Sequence, residues 1–440
     1  MKKNEEYIVE CLDLTRLGYG VVKIDDRIVF VSNLLPEEKA LVKIIKVNKT
    51  YAIGKVIERF TQSKHRIQPK CSIFPSCGGC QLQHMDYEMQ LKTKQAQVQA
   101  MVDHSALPLI EVKPTLGMKE PWFYRNKAQF PVQVQNDQIF MGFYRSHSNT
   151  IVPCQTCAIQ DEMINQVYLC IQQHISFKLA KSLRHILIRH AQSTNQIQIV
   201  YIGRQFQDFS KLNTILLNEF PSIVSIVYNE NTRNDNVILG NTYSVLYGTD
   251  SLIDTCMDNQ VKLHFKSFFQ VNPQQMEVLY QYAIDAAHLH SQMTCIDMYS
   301  GTGTIGMAIS KYVKQVIGVE IVKEAVENAQ ENAKMNGITN CQFICQDASD
   351  FVKEYASKNK NVDVIFIDPP RKGMSLQGIH DVCTLAPKQV IYISCNPETL
   401  IRDSIEFSKL GYQCQSIQPV DMFCQTISLE CVAVFQRNNE

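Results

Sequence analysis

Short runs of alternating apolar and polar residues fill the first sixty positions of the chain. Residues 28–31 and 40–44 are two of these runs, and glycine, asparagine, aspartate and proline residues separate them. A period of two is typical of strands with one buried face, and the separating residues are those that favour turns. The pattern predicts a small antiparallel, OB-like β-barrel over residues 1–61.

Beyond the barrel the pattern changes twice. The pattern of residues 87–104 predicts a helix, which could pack against the C-terminal domain. The rest of segment 62–263 mixes strands and helices without a clear period. We treat 62–263 as one mixed α+β central domain. In residues 264–440 apolar strands alternate with amphipathic segments, which predicts a doubly wound, Rossmann-like parallel sheet. The predicted strands of this sheet are 294–299, 315–320, 341–347, 362–368 and 389–395.

The composition narrows the class of protein. A chain of 440 residues that is 45% apolar is long enough for two or three cores. Its N-terminus is charged and no apolar run approaches the length that crosses a bilayer, so we expect a cytoplasmic protein without a membrane anchor. We also expect a monomer. In such a protein sixteen cysteines indicate reduced thiols, metal ligands or a nucleophile rather than disulfides.

The charges cancel over the whole chain but not over the barrel. With 43 basic and 43 acidic side chains, any attraction to a polyanion must come from local patches. Residues 1–70 hold fourteen Lys or Arg against nine Asp or Glu. A lysine cluster is usually a solvated face, but on a barrel it also suits the phosphates of a nucleic acid. Lys43 and Lys46 are our candidate phosphate contacts.

The first strand of the C-terminal sheet ends in an acidic residue and a glycine-rich turn, residues 297–306. Glycine lets the backbone approach a ligand, although such a turn can also be only a tight strand-to-helix connection. The next three strands end at Glu320, Asp347 and Asp368. Because open parallel sheets bind ligands at the carboxyl ends of their strands, the sequence predicts a cofactor crevice at this edge.

A dinucleotide-dependent dehydrogenase could use the same crevice. The segment 368–373 argues against it, because its Asp-Pro-Pro-Arg-Lys-Gly sequence is similar to the loop in which many nucleic-acid methyltransferases hold methyl donor and target base. Proline fixes the turn, and two basic residues suit a phosphate-bearing substrate. The alternative is a surface loop after a buried strand.

The fifth strand delivers Cys395 to the same edge of the sheet. Most cysteines are buried small hydrophobes, but carbon 5 of uracil cannot attack a sulfonium methyl group until a thiolate has added to carbon 6. The carbon 5 proton must then leave, which requires a base, and Glu430 is the candidate although it could equally face solvent. Methylation of an amine needs no thiol, and enzymes that methylate cytosine usually carry a second cysteine where Asp368 stands.

A second group of cysteines lies near the barrel. Cys71, Cys77 and Cys80 share a short glycine-containing loop, and Cys154 or Cys157 could supply a fourth thiolate. Four thiolates suit zinc or an iron-sulfur cluster. The spacing is wider than that of radical S-adenosylmethionine enzymes.

Together these motifs resemble the bacterial RNA uracil-5 methyltransferases, and the similarity spans nearly the whole chain. In that family an N-terminal TRAM barrel binds RNA, the central domain carries a 4Fe-4S cluster and the C-terminal domain binds S-adenosylmethionine. The segments that carry the resemblance are 18–22, 28–31, 71–80, 124–127, 268–272, 297–303, 368–373 and 394–397.

The resemblance implies roles for individual residues. The cluster ligands correspond to Cys71, Cys77, Cys80 and Cys157, with Cys154 as the local rival. The donor-binding positions correspond to Gln270, Tyr299, Glu320 and Asp368, to which our own analysis adds Asp347 on the adenine side; the nucleophile corresponds to Cys395 and the base to Glu430. Some relatives that act on uridine 54 of transfer RNA lack the cluster cysteines, so the resemblance favours 23S ribosomal RNA and leaves transfer RNA as the alternative.

Three further residues are predicted to contact RNA. Arg125 and Lys127 would join the barrel lysines on phosphates, and Phe268 would stack on a flipped or neighbouring base. A noncatalytic RNA-binding protein would keep the barrel and its lysines, but it would not need Cys395 together with the acidic crevice.

Overall fold

A six-stranded sheet forms from the N-terminal alternating runs. The computed structural model describes residues 1–108, 110–358 and 361–438. The strands are β1 (Glu6–Glu10), β2 (Asp13–Leu14), β3 (Tyr19–Ile24), β4 (Arg27–Ser32), β5 (Lys39–Val47) and β6 (Tyr51–Arg59), in the order β1-β5-β6-β4-β3-β2. Their inward side chains, such as Val22, Val29 and Val42, form a separate core. All pairs are antiparallel except β4 with β6, which run parallel because β5 lies between them in the sequence.

The helix predicted after the barrel is α1 (Tyr87–Asp103), and it packs against the C-terminal part of the chain. The Asp86 side chain caps its first turn by accepting from the Met89 amide at 2.8 Å. Its buried positions recur every four residues and include Lys94 and Val98. The Lys94 ammonium forms a buried ion pair with Asp421, at 2.5 Å.

A seven-stranded sheet occupies the central part of the chain, in the order β13-β12-β11-β10-β7-β8-β9. Helices from the same region cover one of its faces and close a core around Phe130, Tyr168 and Tyr201. The elements are β7 (Lys127–Gln135), β8 (Gln138–Tyr144), β9 (Ile151–Pro153), α2 (Glu162–His174), α3 (Phe177–Ser182), β10 (Leu183–Ala191), β11 (Gln196–Gly203), α4 (Ser210–Glu219), β12 (Ile223–Glu230) and β13 (Tyr243–Gly248).

The C-terminal part begins with a hairpin and continues as alternating strands and helices. Its first elements are β14 (Ser251–Cys256), β15 (Asn259–His264), α5 (Pro273–Ala286), β16 (Thr294–Met298), α6 (Thr304–Ser310), β17 (Gln315–Glu320), α7 (Lys323–Met335) and β18 (Cys341–Cys345). The remaining elements are α8 (Ala348–Ser357), β19 (Val364–Ile367), α9 (Leu376–Thr384), β20 (Gln389–Ser394), α10 (Pro397–Lys409), β21 (Tyr412–Val420) and β22 (Glu430–Arg437).

Strands β16 to β22 form one sheet in the order β18-β17-β16-β19-β20-β22-β21. The first five are parallel, as the sequence predicts, and apolar clusters cover both faces. Strand β22, which we did not predict, runs antiparallel to β20. The segment 421–429 joins β21 directly to β22, and a short connection between neighbouring strands makes them antiparallel. Strand β22 therefore runs opposite to β21 as well as to β20.

The boundaries 1–61, 62–263 and 264–440 stay a prediction for the domains. Within the described part of the chain, no helix has the length and apolar character needed to cross a membrane.

Candidate active site

The turn after β16 brings the backbone to the edge of the C-terminal sheet. Tyr299, Gly301 and Gly303 all have positive φ, at 65°, 53° and 81°. For a tyrosine this conformation costs about 1–3 kcal/mol, so the surrounding structure must hold it in place. A Cβ atom on Gly303 would lie 2.6 Å from the Phe343 ring, whereas one on Gly301 would meet nothing within 4 Å. Close packing therefore requires Gly303, and Gly301 borders open space.

Two carboxylates hold this turn. Glu320, at the end of β17, accepts from the Gly301 amide at 3.1 Å and from the Ile321 amide at 2.8 Å. Asp297 is fully buried and accepts from the Gly306 amide at 2.8 Å, and among the described residues its other oxygen has no hydrogen-bond partner. The pKa of Asp297 is raised to about 7. Burial is the largest cause, and the charges of the nearby Asp368 and Glu320 also contribute.

A crevice of about 830 Å³ opens beside the turn. Four of the five predicted donor-binding residues line it: Gln270, Tyr299, Glu320 and Asp368. Phe268 lies on the same wall with its side chain 70% exposed. Burial raises the pKa of Asp368 to about 7.

The fifth predicted residue, Asp347, lies outside the wall of this crevice. It caps α8, where its carboxylate accepts from the Ser349 amide at 2.9 Å. It is still near Tyr299, which lines the crevice. Burial is the largest cause that raises the pKa of Tyr299, and the charge of Asp347 is the second largest. Its predicted role in donor binding stays a prediction.

Cys395 directly follows β20 and lines a separate pocket of about 270 Å³. Burial, followed by the carboxyl groups of Glu430 and Asp368, raises the pKa of its thiol to about 11, although the Arg371 guanidinium opposes the rise. Asp368 lines the crevice and Arg371 lines this pocket, so the loop 368–373 contributes to both walls. Arg16 of the barrel also lines the pocket, and no sequence pattern indicated that it would.

Glu430 lies across from Cys395 because of the register of two neighbouring strands. Ser394, the last residue of β20, pairs with Cys431 in the antiparallel β20–β22 ladder, so Cys395, which follows β20, faces Glu430, the first residue of β22. Glu430 is 3% exposed and does not face solvent. Burial raises its pKa well above the ordinary value, Asp368 adds to the rise and Arg371 opposes it. A carboxyl group, a thiol and a guanidinium thus meet beside the crevice.

The four cysteines indicated by the resemblance line one cavity of about 380 Å³. These residues are Cys71, Cys77, Cys80 and Cys157. The Gly79 amide donates to the Cys77 sulfur at 3.3 Å, and Asn165 holds the Cys157 backbone through two hydrogen bonds. Cys154 is buried and is not part of this wall. No three His, Cys, Asp or Glu side chains in the described ranges form a site for a single metal ion.

The predicted RNA contacts lie in different surroundings. Lys46 is exposed on β5, and Lys43 forms an ion pair with Glu6 at 3.5 Å. Arg125 and Lys127 line the cysteine cavity. The pKa of Lys127 is lowered to about 7. Burial is the largest cause, and repulsion from Arg189 and Arg125 also contributes. As RNA contacts these four residues, and Phe268 on the crevice wall, remain predictions.

The chain matches two described families. Residues 86–438 match tRNA (uracil-5-)-methyltransferase and residues 2–57 match the TRAM domain. An uncharacterized RNA methyltransferase of Oceanobacillus iheyensis is 40% identical over 446 residues, covering 98% of this chain and 97% of the relative. One from Halalkalibacterium halodurans is 39% identical over 451 residues, covering 100% and 98%.

A solved structure is similar over almost the full length. The tRNA (uracil-54, C5)-methyltransferase of Pyrococcus abyssi, in complex with S-adenosyl-L-homocysteine, has a TM-score of 0.77 and 22% sequence identity. The similarity covers 97% of this chain and 99% of that one. At this identity the comparison shows that the two proteins share a fold.

Proposed function

The chain belongs to the tRNA (uracil-5-)-methyltransferase family and is an S-adenosylmethionine-dependent RNA methyltransferase; from this we propose that it methylates carbon 5 of a uridine in 23S ribosomal RNA through a covalent bond to Cys395. The observation that carries the proposal is the register of β20 and β22, which ends with Ser394 opposite Cys431 and so brings Cys395 next to the buried Glu430. A thiol and a carboxyl group beside a donor crevice provide both groups that the reaction needs.

The residues of the crevice fit S-adenosylmethionine. Glu320 ends the second strand of the sheet, where a carboxylate can accept from ribose hydroxyls, and Gly301 leaves open space beside it. Gln270 and Asp368 line the same space and offer oxygen acceptors for a cationic ligand. When bound, S-adenosylmethionine supplies an electrophilic methyl group.

In the first step the Cys395 thiolate forms a bond to carbon 6 of the target uracil. The electron pair of the carbon 5–carbon 6 double bond moves toward the carbonyl at carbon 4, so carbon 5 becomes a nucleophile. Arg371 is exposed beside the thiol and favours its ionised form, since a nearby cation lowers the pKa of a thiol.

In the last step Glu430 removes the remaining proton from carbon 5. The double bond forms again, and Cys395 leaves carbon 6 as a thiolate. The raised pKa of Glu430 suits this work, because a carboxylate with a high pKa is a stronger base than an exposed one.

The cysteine cavity can hold a 4Fe-4S cluster, which the family resemblance favours over zinc. A cluster presents a separate iron to each thiolate, so its ligands line a larger space, as Cys71, Cys77, Cys80 and Cys157 do. We assign the cluster a structural role, because addition, methyl transfer and elimination contain no redox step.

Replacing Cys157 with serine is expected to remove the cluster, whereas the same change at Cys154 should leave it. Only the first thiol lines the cavity, so anaerobically purified Cys157→Ser protein should lose most of the visible absorbance of iron-sulfur charge transfer. Absorbance spectra and iron analysis check this, with Cys154→Ser as the matched control. Zinc without iron in the wild-type protein, or the opposite order of the two variants, would contradict the assignment.

The RNA substrate can be identified by mapping 5-methyluridine. We expect a strain that lacks this protein to lose the modification at a position in 23S ribosomal RNA, and the purified protein with S-adenosylmethionine to restore it on that RNA. Restoration on transfer RNA alone would exclude the ribosomal substrate while keeping the chemistry. RNA binding without any binding of S-adenosylmethionine would instead favour a noncatalytic RNA-binding protein. We expect the reaction in the cytoplasm, where thiols remain reduced.

A further inference from the structure

The turn between β2 and β3 of the barrel reaches the pocket that contains the nucleophile. Arg16 and Leu17, both in this turn, line that pocket together with Cys395. No other barrel residue does so among those described. The barrel therefore contributes to the reaction site itself and not only to a remote surface.

Three segments outside the barrel hold this turn. Arg16 forms an ion pair with Glu398 in the first turn of α10. The Gln97 amide of α1 donates to the Thr15 carbonyl at 3.3 Å. Gly18 lies so close to Ile427 that a Cβ atom would be 3.2 Å from its methyl group. The turn is thus seated at a defined position beside the pocket.

The charged side chains of the pocket favour an anion. Three cations line it, namely Arg16, Lys94 and Arg371, and Glu398 is the single carboxylate in its described lining. The charge of Lys94 is already balanced by the buried Asp421. Arg16 and Arg371 are exposed; Arg371 also faces the Cys395 thiol, whereas a neutral uracil ring has no need of the charge of Arg16. Phosphate is the part of a nucleotide that two exposed guanidinium groups would bind.

We propose that Arg16 is a substrate-positioning residue, which exchanges Glu398 for a backbone phosphate next to the target uridine when that nucleotide enters the pocket. The inference rests on the proposed function. A base that reaches this half-buried thiol must leave its stack, which brings its own phosphates to the mouth of the pocket. The side chains of Arg16 and Glu398 are 43% and 55% exposed, so solvent screens their ion pair and a phosphate can replace the carboxylate at little cost.

Three single variants of the full-length protein separate this role from a structural one. Arg16→Gln removes the proposed phosphate ligand, and Glu398→Gln breaks the same ion pair but leaves Arg16 available. Arg233→Gln is the control, because Arg233 is also an exposed arginine paired with a nearby carboxylate, that of Asp235. Each is measured for kcat and KM with a fragment of the substrate RNA at several salt concentrations.

Arg16→Gln should raise KM about tenfold and change kcat by less than about threefold, because the residue binds the backbone and not the reacting atoms. For this variant, the slope of the logarithm of the RNA-binding constant against the logarithm of the salt concentration should be shallower than in wild type by about 0.7–0.9. This is the contribution of one phosphate contact. Glu398→Gln should leave KM unchanged or lower it, and Arg233→Gln should behave as wild type. A fourth variant, Arg16→Lys, should raise KM less than Arg16→Gln does, because it keeps a positive charge.

Equal defects in Arg16→Gln and Glu398→Gln would mean that the ion pair only joins the barrel to α10, and would overturn the inference. A wild-type KM and salt dependence in Arg16→Gln would overturn it as well. Either result, obtained while the wild-type protein methylates uridine, leaves the proposed function intact. If the wild-type protein methylates no RNA, the proposed function fails first.

Discussion

Replacing Cys395 with alanine is expected to lower methyl transfer by about a thousandfold or more while the affinity for S-adenosylmethionine stays within a few-fold of wild type. The reason is geometric, because the thiol lines the pocket beside Arg371 and the donor crevice has its own walls. Transfer of labelled methyl groups to RNA and calorimetric titration of the donor measure the two quantities separately.

Cys383→Ala provides the matched control for this variant. Cys383 is also a partly buried cysteine of the C-terminal sheet region, on α9, and it lines neither the crevice nor the pocket. Its replacement should leave both methyl transfer and donor affinity nearly unchanged. Turnover of Cys395→Ala within a few-fold of wild type would refute the covalent mechanism.

Glu430→Gln should slow the reaction by about 10²–10⁴-fold and accumulate a methylated RNA–protein adduct. The amide cannot accept the carbon 5 proton, so the bond between Cys395 and carbon 6 is not released. The adduct is detected as a band of reduced mobility on a denaturing gel. The double variant with Cys395→Ala should show no such band, and a Glu430→Gln protein without any adduct would move the base to another residue.

The same variant has a pH signature in stability. A carboxyl group whose folded pKa is raised contributes stability below its ordinary pKa of 4.5, and this contribution falls as the pH rises toward the folded pKa. Glu430→Gln should lack that fall, so its free energy of unfolding above pH 7 should be at least that of wild type. Loss of activity together with lower stability at high pH would indicate damage to the fold instead.

Much of the architecture could be predicted from the sequence. Continuous apolar runs indicated the five parallel strands, and β17 has the predicted bounds because it ends in Glu320 before a polar helix. The family matches confirm the TRAM barrel and the methyltransferase fold. The crevice also followed from sequence, since residues at the carboxyl ends of parallel strands must meet at one edge.

The details that sequence reasoning missed depend on contacts between distant segments. Glu430 could be assigned only by resemblance, because its position beside Cys395 depends on the antiparallel placement of β22. The apolar run 431–435 was a signal for a buried strand there. The contact of Arg16 with Glu398 has no local signature at all, since charged residues are common at turns and at helix N-termini.

The packing of α1 on the C-terminal sheet region has a consequence for how the chain is made. Lys94 and Asp421 are 327 residues apart in sequence. At a synthesis rate of about 5–20 residues per second, α1 emerges from the ribosome on the order of tens of seconds before its partner exists. During that interval Lys94 lacks its carboxylate partner, and Val98 and Val102 lack the C-terminal part of their apolar cluster, so we expect the nascent helix to bind chaperones.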